Sequence, residues 1–181
     1  MNMEVKIKPR EERELEDWVA SDCHGLNFFD IDGSLQDLLT IYLPDDLRAH
    51  MTPVYRELGE VAGNRLDELS RICDRHLPVL HPRDARGRNR DWIEYHPAFR
   101  EMEKIGYGDF GIHCMSRRAG VHGWPTKVPP MAKYVFQYLF TQSEFGLMCP
   151  ISLTDTSSML LERYGPEDAK AKFLPRMRSQ D

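Results

Sequence analysis

The chain has 181 residues and a mass of 21.1 kDa, enough for one well-buried core. Hydrophobic residues make up 41% and aromatic residues 10%, which excludes a disordered chain. A net charge of -5 and a sequence pI near 5.8 exclude the global basic field that draws a protein to nucleic acid or anionic lipid. Residues 1–26 read as an N-terminal extension, rich in charge, with a short helix around Leu15, Trp18 and Val19 and Trp18 docked on a neighbouring subunit or domain. Met1 to Arg10 alternates charged and apolar residues, unlike a signal peptide, and no apolar run is long enough to cross a membrane. Cys23, Cys73, Cys114 and Cys149 form no C-x-x-C pair, so reduced thiols in a cytoplasmic protein are expected.

From Asn27 the chain reads as helices. Asn27-Phe28-Phe29-Asp30 is a turn, and Ser34 with Asp37 approximates a capping box for a helix carrying Leu35, Leu38, Leu39 and Tyr42. Pro44-Asp45-Asp46 starts the next helix with acids at the positive end of its dipole. Thr52-Pro53 is placed to break or kink it, and Val54, Leu58 and Val61 continue its stripe to a stop at Gly63. Asn64 then caps a helix through Leu66, Leu69, Ile72 and Cys73. Leu77 to Asp91 reads as a loop exposing Arg83, Arg86, Arg88 and Arg90. Pro97 opens a helix through Ile105 that ends at Gly106 and Gly108, with His96 placed to cap its start.

After a loop from Gly120 to Pro130 comes the most apolar helix, with Val135, Leu139, Gln142 and Phe145 in register. Gly146 and Pro150 divide it from a helix carrying Ile151, Thr154, Ser158 and Leu161, after which Gly165 stops, Pro166 starts and a short charged helix follows. The fold class is all-α, an up-and-down helical bundle of six or more helices with almost no strand.

Few residues carry chemistry. His76, His81, His96, His113 and His122 include no pair at i, i+4 and no H-E-x-x-H arrangement, so the spacing argues against a metal centre. Cys149 lies at a helix start, where a dipole lowers a thiol pKa, but among Leu147, Met148 and Ile151 it reads as packing. Gly120-x-x-Gly123 and Gly106-x-Gly108 match no phosphate-binding pattern. The arginines at 83–90 are flanked by Asp84 and Asp91, without alternating aromatics, and read as a solvated loop pinned by Arg–Asp pairs in preference to a DNA site. Thr154 to Ser158 puts poor helix formers in a buried helix, for close packing with hydroxyls bonded to the preceding turn, for ligand space, or for both.

Two segments carry a family likeness. Phe145 to Met177 has a small-residue helix, a Gly165 stop and a second helix closing in Lys172-Phe173-Leu174-Pro175, and Asp84 to Ala98 has the form D-x-x-G-x-x-x-D-x-[apolar]-x-[aromatic]-H-P-A. Together they resemble the N-terminal helical domain of acyl-CoA dehydrogenases, in particular the alkylation-response branch, over residues 27–181. The resemblance implies an FAD-dependent enzyme that dehydrogenates acyl-CoA thioesters at the α,β bond, and a homo-oligomer. It also implies that Leu147, Met148, Ile151 and Thr154 border the acyl chain as substrate-binding residues. Met-Thr-Glu and Gly-Gly-Ser-Asp type flavin segments do not occur here. The middle β-domain and C-terminal helical domain are therefore expected to be absent, and residues 1–181 alone to be inactive, with no bound FAD and no catalytic residue. DNA binding in that branch is ascribed to the C-terminal region. The competing reading is a stand-alone helical interaction module using the Arg83–Arg90 loop. A domain separated from its neighbours should expose an apolar face that includes Met148 or Ile151.

Overall fold

The computed structural model describes residues 20–181. The helix expected within residues 1–26, Trp18 included, lies almost wholly outside the described residues. Seven α-helices follow in order: α1 Gly33–Tyr42, α2 Asp45–Val61, α3 Asp67–Arg75, α4 Pro97–Glu103, α5 Pro130–Thr141, α6 Met148–Tyr164 and α7 Glu167–Met177. The helical bundle expected from the 3.6-residue periodicity is therefore present.

Starts are set by local chemistry. Asp32, two residues earlier than the expected Ser34, caps α1 by accepting the Leu35 amide at 2.8 Å. The turn before it is held by Asn27, whose side-chain oxygen accepts the amides of Phe29 and Asp30 at 3.0 and 3.2 Å. Asp45 and Asp46 open α2, and Pro97 opens α4 with His96 Nδ1 accepting the Ala98 amide at 3.1 Å, as expected. Pro53 sits inside α2 without ending it.

The expected stops at Gly63 and Gly106 are corrected. Ala62–Leu66 and Lys104–Asp109 are π-helical segments that carry the chain onward, the first joining α2 to α3. These glycines serve close approach. A Cβ on Gly63 would lie 1.7 Å from the Leu26 carbonyl oxygen, and one on Gly106 would lie 2.6 Å from Ile151 Cδ1. The Gly63 and Gly59 carbonyls accept the amides of Gly25 and Phe28 at 2.8 and 3.0 Å, which straps the 25–29 turn over α2.

The segment expected to be a loop at 77–91 is also corrected. It is a hairpin of β1, Val79–Arg83, against β2, Asn89–Glu94, antiparallel with Leu80 opposite Ile93 and a register shift after His81. The missing signal is hydrophobic alternation, because the strands are almost wholly exposed. Asp84 shapes the turn: its carboxylate accepts the amides of Arg86 and Arg88 at 2.8 and 3.1 Å and pairs with Arg88 Nε at 2.7 Å. Gly87 supplies the left-handed φ of +76°. Those amides, Arg88's first, hold the Asp84 carboxyl below the usual carboxylate range. Turn order should thus be fully present above that range and lost as pH falls through the lowered Asp84 value. We expect the Gly87 and Arg88 amide shifts to report this step by NMR, and Asp84→Ala to abolish it. A step that survives in Asp84→Ala would assign it to another group.

The core is built mainly from α2, α4, α5 and the 110–116 segment. Tyr55, Met51, Met102, Ile112, Phe136 and Phe140 are among its largest fully buried side chains. Tyr55 Oη donates to the Ala132 carbonyl at 3.1 Å, so the one polar atom of this buried ring is satisfied and α2 is keyed to α5.

Candidate functional site

On α6 the buried stripe is Met148, Ile151, Asp155 and Ser158, a helical spacing whose second half is polar. Asp155 receives Lys133 Nζ from α5 and Arg117 Nε from the preceding loop, each at 2.5 Å. Lys133 and Asp155 are both 4% exposed, so this ion pair lies in the interior, where an unpaired partner is strongly destabilising. Ser158 accepts from Arg178 Nε at 3.0 Å, and Arg178 also reaches Glu162 at 2.9 Å. One helix thereby ties together α5, the 112–118 segment and the residues after α7. Read by residue type alone, Thr154 to Ser158 pointed to small hydroxyls. The cue for Asp155 was its place four residues after Ile151 on the buried face.

Of the four residues expected to border a ligand, Leu147, Met148 and Ile151 are buried in the common core, at 2%, 6% and 0% exposure. Thr154 is half-buried; its hydroxyl donates to the Pro150 carbonyl at 2.8 Å and lies 3.4 Å from Tyr107 Oη. The expected hydroxyl-to-preceding-turn bond is thus present. The exposed apolar face expected on this helix exists but does not include Met148 or Ile151. It consists of Leu153, Leu160 and Tyr164, with Phe145 just before the helix. The cause is rotational: Ile151 points at Gly106 and Phe140, which keeps Met148 and Asp155 on the buried face and turns Leu153, Leu160 and Tyr164, on the opposite side of the helix, toward solvent. Cys149 is exposed, correcting its reading as a packed thiol.

A further correction concerns α5. Its buried face is Ala132, Lys133, Val135, Phe136, Leu139 and Phe140, while Gln142 and Phe145 are exposed beyond it. Its outer side, with Met131, Tyr134 and Tyr138, meets Leu38 and Tyr42 of α1 across an apolar groove of about 260 Å³. Tyr138 Oη closes one part of it by donating to Asp32 at 2.7 Å, and this carboxylate raises the phenol's pKa. Nothing in the sequence pattern separated these half-exposed aromatics from core residues.

Buried Lys133 and part-exposed Arg117 face Asp155, and Arg178 faces Ser158 and Glu162, so none of these three is aimed outward at a flavin pyrophosphate. The Gly120–Gly123 turn enters a three-residue 3₁₀ element, too short to supply a helix dipole. The Arg83–Arg90 segment is a turn stapled by the Arg88–Asp84 pair, as expected of a locally pinned loop. No described helix is long and apolar enough to cross a membrane.

Residues 19–181 match the family described as adaptive response protein AidB N-terminal domain. Among solved structures, the apo form of Bd2924 is similar with a TM-score of 0.74 and 27% identity, covering 86% of this chain and 30% of that one. Caenorhabditis elegans ACDH-11 in complex with C11-CoA is similar with a TM-score of 0.71 and 20% identity, covering 86% of this chain and 26% of that one. The chain thus spans less than a third of the length of either structure. Among curated proteins, none matches the chain.

Proposed function

We propose that this chain, which belongs to the adaptive response protein AidB N-terminal domain family, is the N-terminal helical part of an FAD-dependent acyl-CoA dehydrogenase, inactive by itself. The observation that carries this reading is the family match over residues 19–181, which takes in every described residue. The complex of the structurally similar ACDH-11 with C11-CoA favours an acyl-CoA as the ligand class. FAD in the longer protein supplies the electron sink for α,β-dehydrogenation.

The part played by these residues is mechanical. α6 forms one wall of the acyl site: Thr154 lies at its half-exposed surface, and Leu147, Met148 and Ile151 back it from the core. Hydroxyl bonding to Pro150 and Tyr107 fixes the Thr154 rotamer, which keeps the wall in one shape. The exposed stripe of Leu153, Leu160 and Tyr164 on the same helix is a face for the rest of the enzyme, and self-association of the parent would build on such surfaces.

The experiment compares residues 1–181 with the polypeptide extended through the downstream coding sequence. We expect the 181-residue chain to purify colourless and the extended protein to carry flavin absorbance and reduce it with an acyl-CoA. In the extended protein Thr154→Leu should favour shorter acyl chains at unchanged flavin content. Stoichiometric flavin on the 181-residue chain overturns the domain reading. An unchanged chain-length profile in folded, flavinated Thr154→Leu removes Thr154 from the site.

A further inference from the structure

After α7 the chain turns back onto the body of the protein and is gripped over three residues. Gln180 Nε2 donates to the Gly108 carbonyl at 2.6 Å, and Arg118 Nη2 donates to Gln180 Oε1. His113 Nε2 is 2.9 Å from the Ser179 carbonyl, and Arg178 is held by Ser158 and Glu162. The seat is shaped for this segment. Gly111 has a φ of +55°, and a Cβ there would come within 2.8 Å of the Gln180 amide. The grip matters because α7 buries no residue of its own. Its C-terminal end is held largely by this strap.

His113 is the part of the grip that changes with conditions. A carbonyl can only accept, so Nε2 must carry the proton, and the neutral ring then leaves Nδ1 bare. Nδ1 is buried without a hydrogen-bond partner among the described residues, in a side chain 2% exposed. A second proton would have to sit on Nδ1, with nothing to accept it and a full charge out of water.

The surrounding groups do not provide for that charge. From its own segment comes the Arg118 guanidinium, with the buried Cys114 thiol next in sequence; from the π-helical segment comes the Tyr107 ring at 4.8 Å; from the strap comes the Ser179 carbonyl. Tyr107 and Cys114 are both pushed toward their neutral forms by burial. Asp155 of α6 is the one acid that acts on the ring, and it is already shared between Lys133 and Arg117.

We propose that His113 is a pH-dependent catch, which releases the Arg178–Asp181 strap and loosens the end of α7 on acidification. Burial first, and then Arg118, hold the ring's pKa below the ordinary imidazole value, against the raising influence of the Ser179 bond and Asp155. The docked strap is therefore favoured above the free imidazole pKa of about 6.5 and is lost as pH falls through the lowered value of the docked ring.

The test uses the 181-residue chain and NMR from about pH 8 to about pH 5, the range of imidazole titration. The Gln180 side-chain amide should lose its protection from water exchange, relative to a free glutamine at the same pH, with the midpoint of the His113 ring signals. The loss of protection should reach about tenfold per unit by which docking displaces the His113 pKa. His113→Gln retains an N–H donor for Ser179 and cannot titrate, so its strap should stay docked throughout. Protection that persists while His113 protonates overturns the proposal, as does a wild-type step that survives in His113→Gln. If that variant fails to fold, the wild-type midpoints decide: separate midpoints, or loss of α2 signals in the same step, overturn a local catch.

Discussion

Gly63→Ala is expected to destabilise the chain by about 3 kcal/mol or more, beyond the usual cost of overpacking, because the clash is with backbone. The added Cβ would meet the Leu26 carbonyl oxygen at 1.7 Å and its carbon at 2.9 Å. That strand of backbone cannot rotate away as a side chain can. It must lift, which breaks the bond from Gly25 to the Gly63 carbonyl. Lifting also draws on Phe28 and Phe29, which are 8% and 3% exposed and fill the core beside Tyr55. The gain in helix propensity from glycine to alanine, about 1 kcal/mol, is too small to offset this. Gly33→Ala is the control: at the first residue of α1 a Cβ meets nothing within 4 Å. Denaturant unfolding of the two variants should separate them by about a hundredfold or more in equilibrium constant. A Gly63→Ala protein as stable as Gly33→Ala would show that the 25–29 turn is not seated on α2.

Helix positions were legible in the sequence wherever a cap or a proline set them. Asp45 and Asp46, Pro97 with His96, and Gly165 with Pro166 are where the chain's own chemistry announces a boundary, and the helices there begin or end accordingly. Misreadings share one cause, which is that a residue type was assigned its local meaning where the tertiary one prevails. Gly63 and Gly106 look like stops, yet each is small because another segment passes within contact of it. The hairpin at 79–94 was hidden because its strands bury almost nothing and so carry no alternation. Its order comes from Asp84 and Gly87, the same residues that anchor the family signature, so that signature marks a turn and not a reactive group.

The candidate site was legible as a helix and not as a surface. Resemblance identified α6, but the rotation of a helix is fixed by partners far away in sequence, here Gly106 and Phe140 around Ile151. With that rotation, three of the four expected residues face the core and Thr154 alone approaches solvent. The strap at 178–181 was invisible for a related reason. Its contacts, His113 to Ser179 and Gly108 to Gln180, span more than sixty residues and leave no periodic trace.

Asp155→Asn is expected to cost about 3–5 kcal/mol, the range for breaking a buried ion pair by removing one partner. The volume of the side chain is kept, so the effect isolates charge. Without the carboxylate, Lys133 Nζ is left in a site 4% exposed, with the Tyr134 ring 5.0 Å away as its remaining favourable neighbour. A cation–π contact of this kind contributes about 0.5–2 kcal/mol and does not replace an anion at 2.5 Å. Arg117 suffers less, because its side chain is 18% exposed and can turn to water. The asymmetry gives a sharper test. Lys133→Met combined with Asp155→Leu removes both buried charges and fills their space with apolar atoms, so the double variant should recover most of the loss and can exceed the parent in stability. Lys133→Met alone leaves Asp155 with Arg117 and should fall between the two. Urea unfolding of the parent, Lys133→Met, Asp155→Leu and the double variant closes a mutant cycle whose coupling should exceed about 2 kcal/mol for groups in direct contact. A single Asp155→Asn loss below about 1 kcal/mol, the range of a surface pair, would mean that water reaches Lys133 and that α5 and α6 are not keyed by charge.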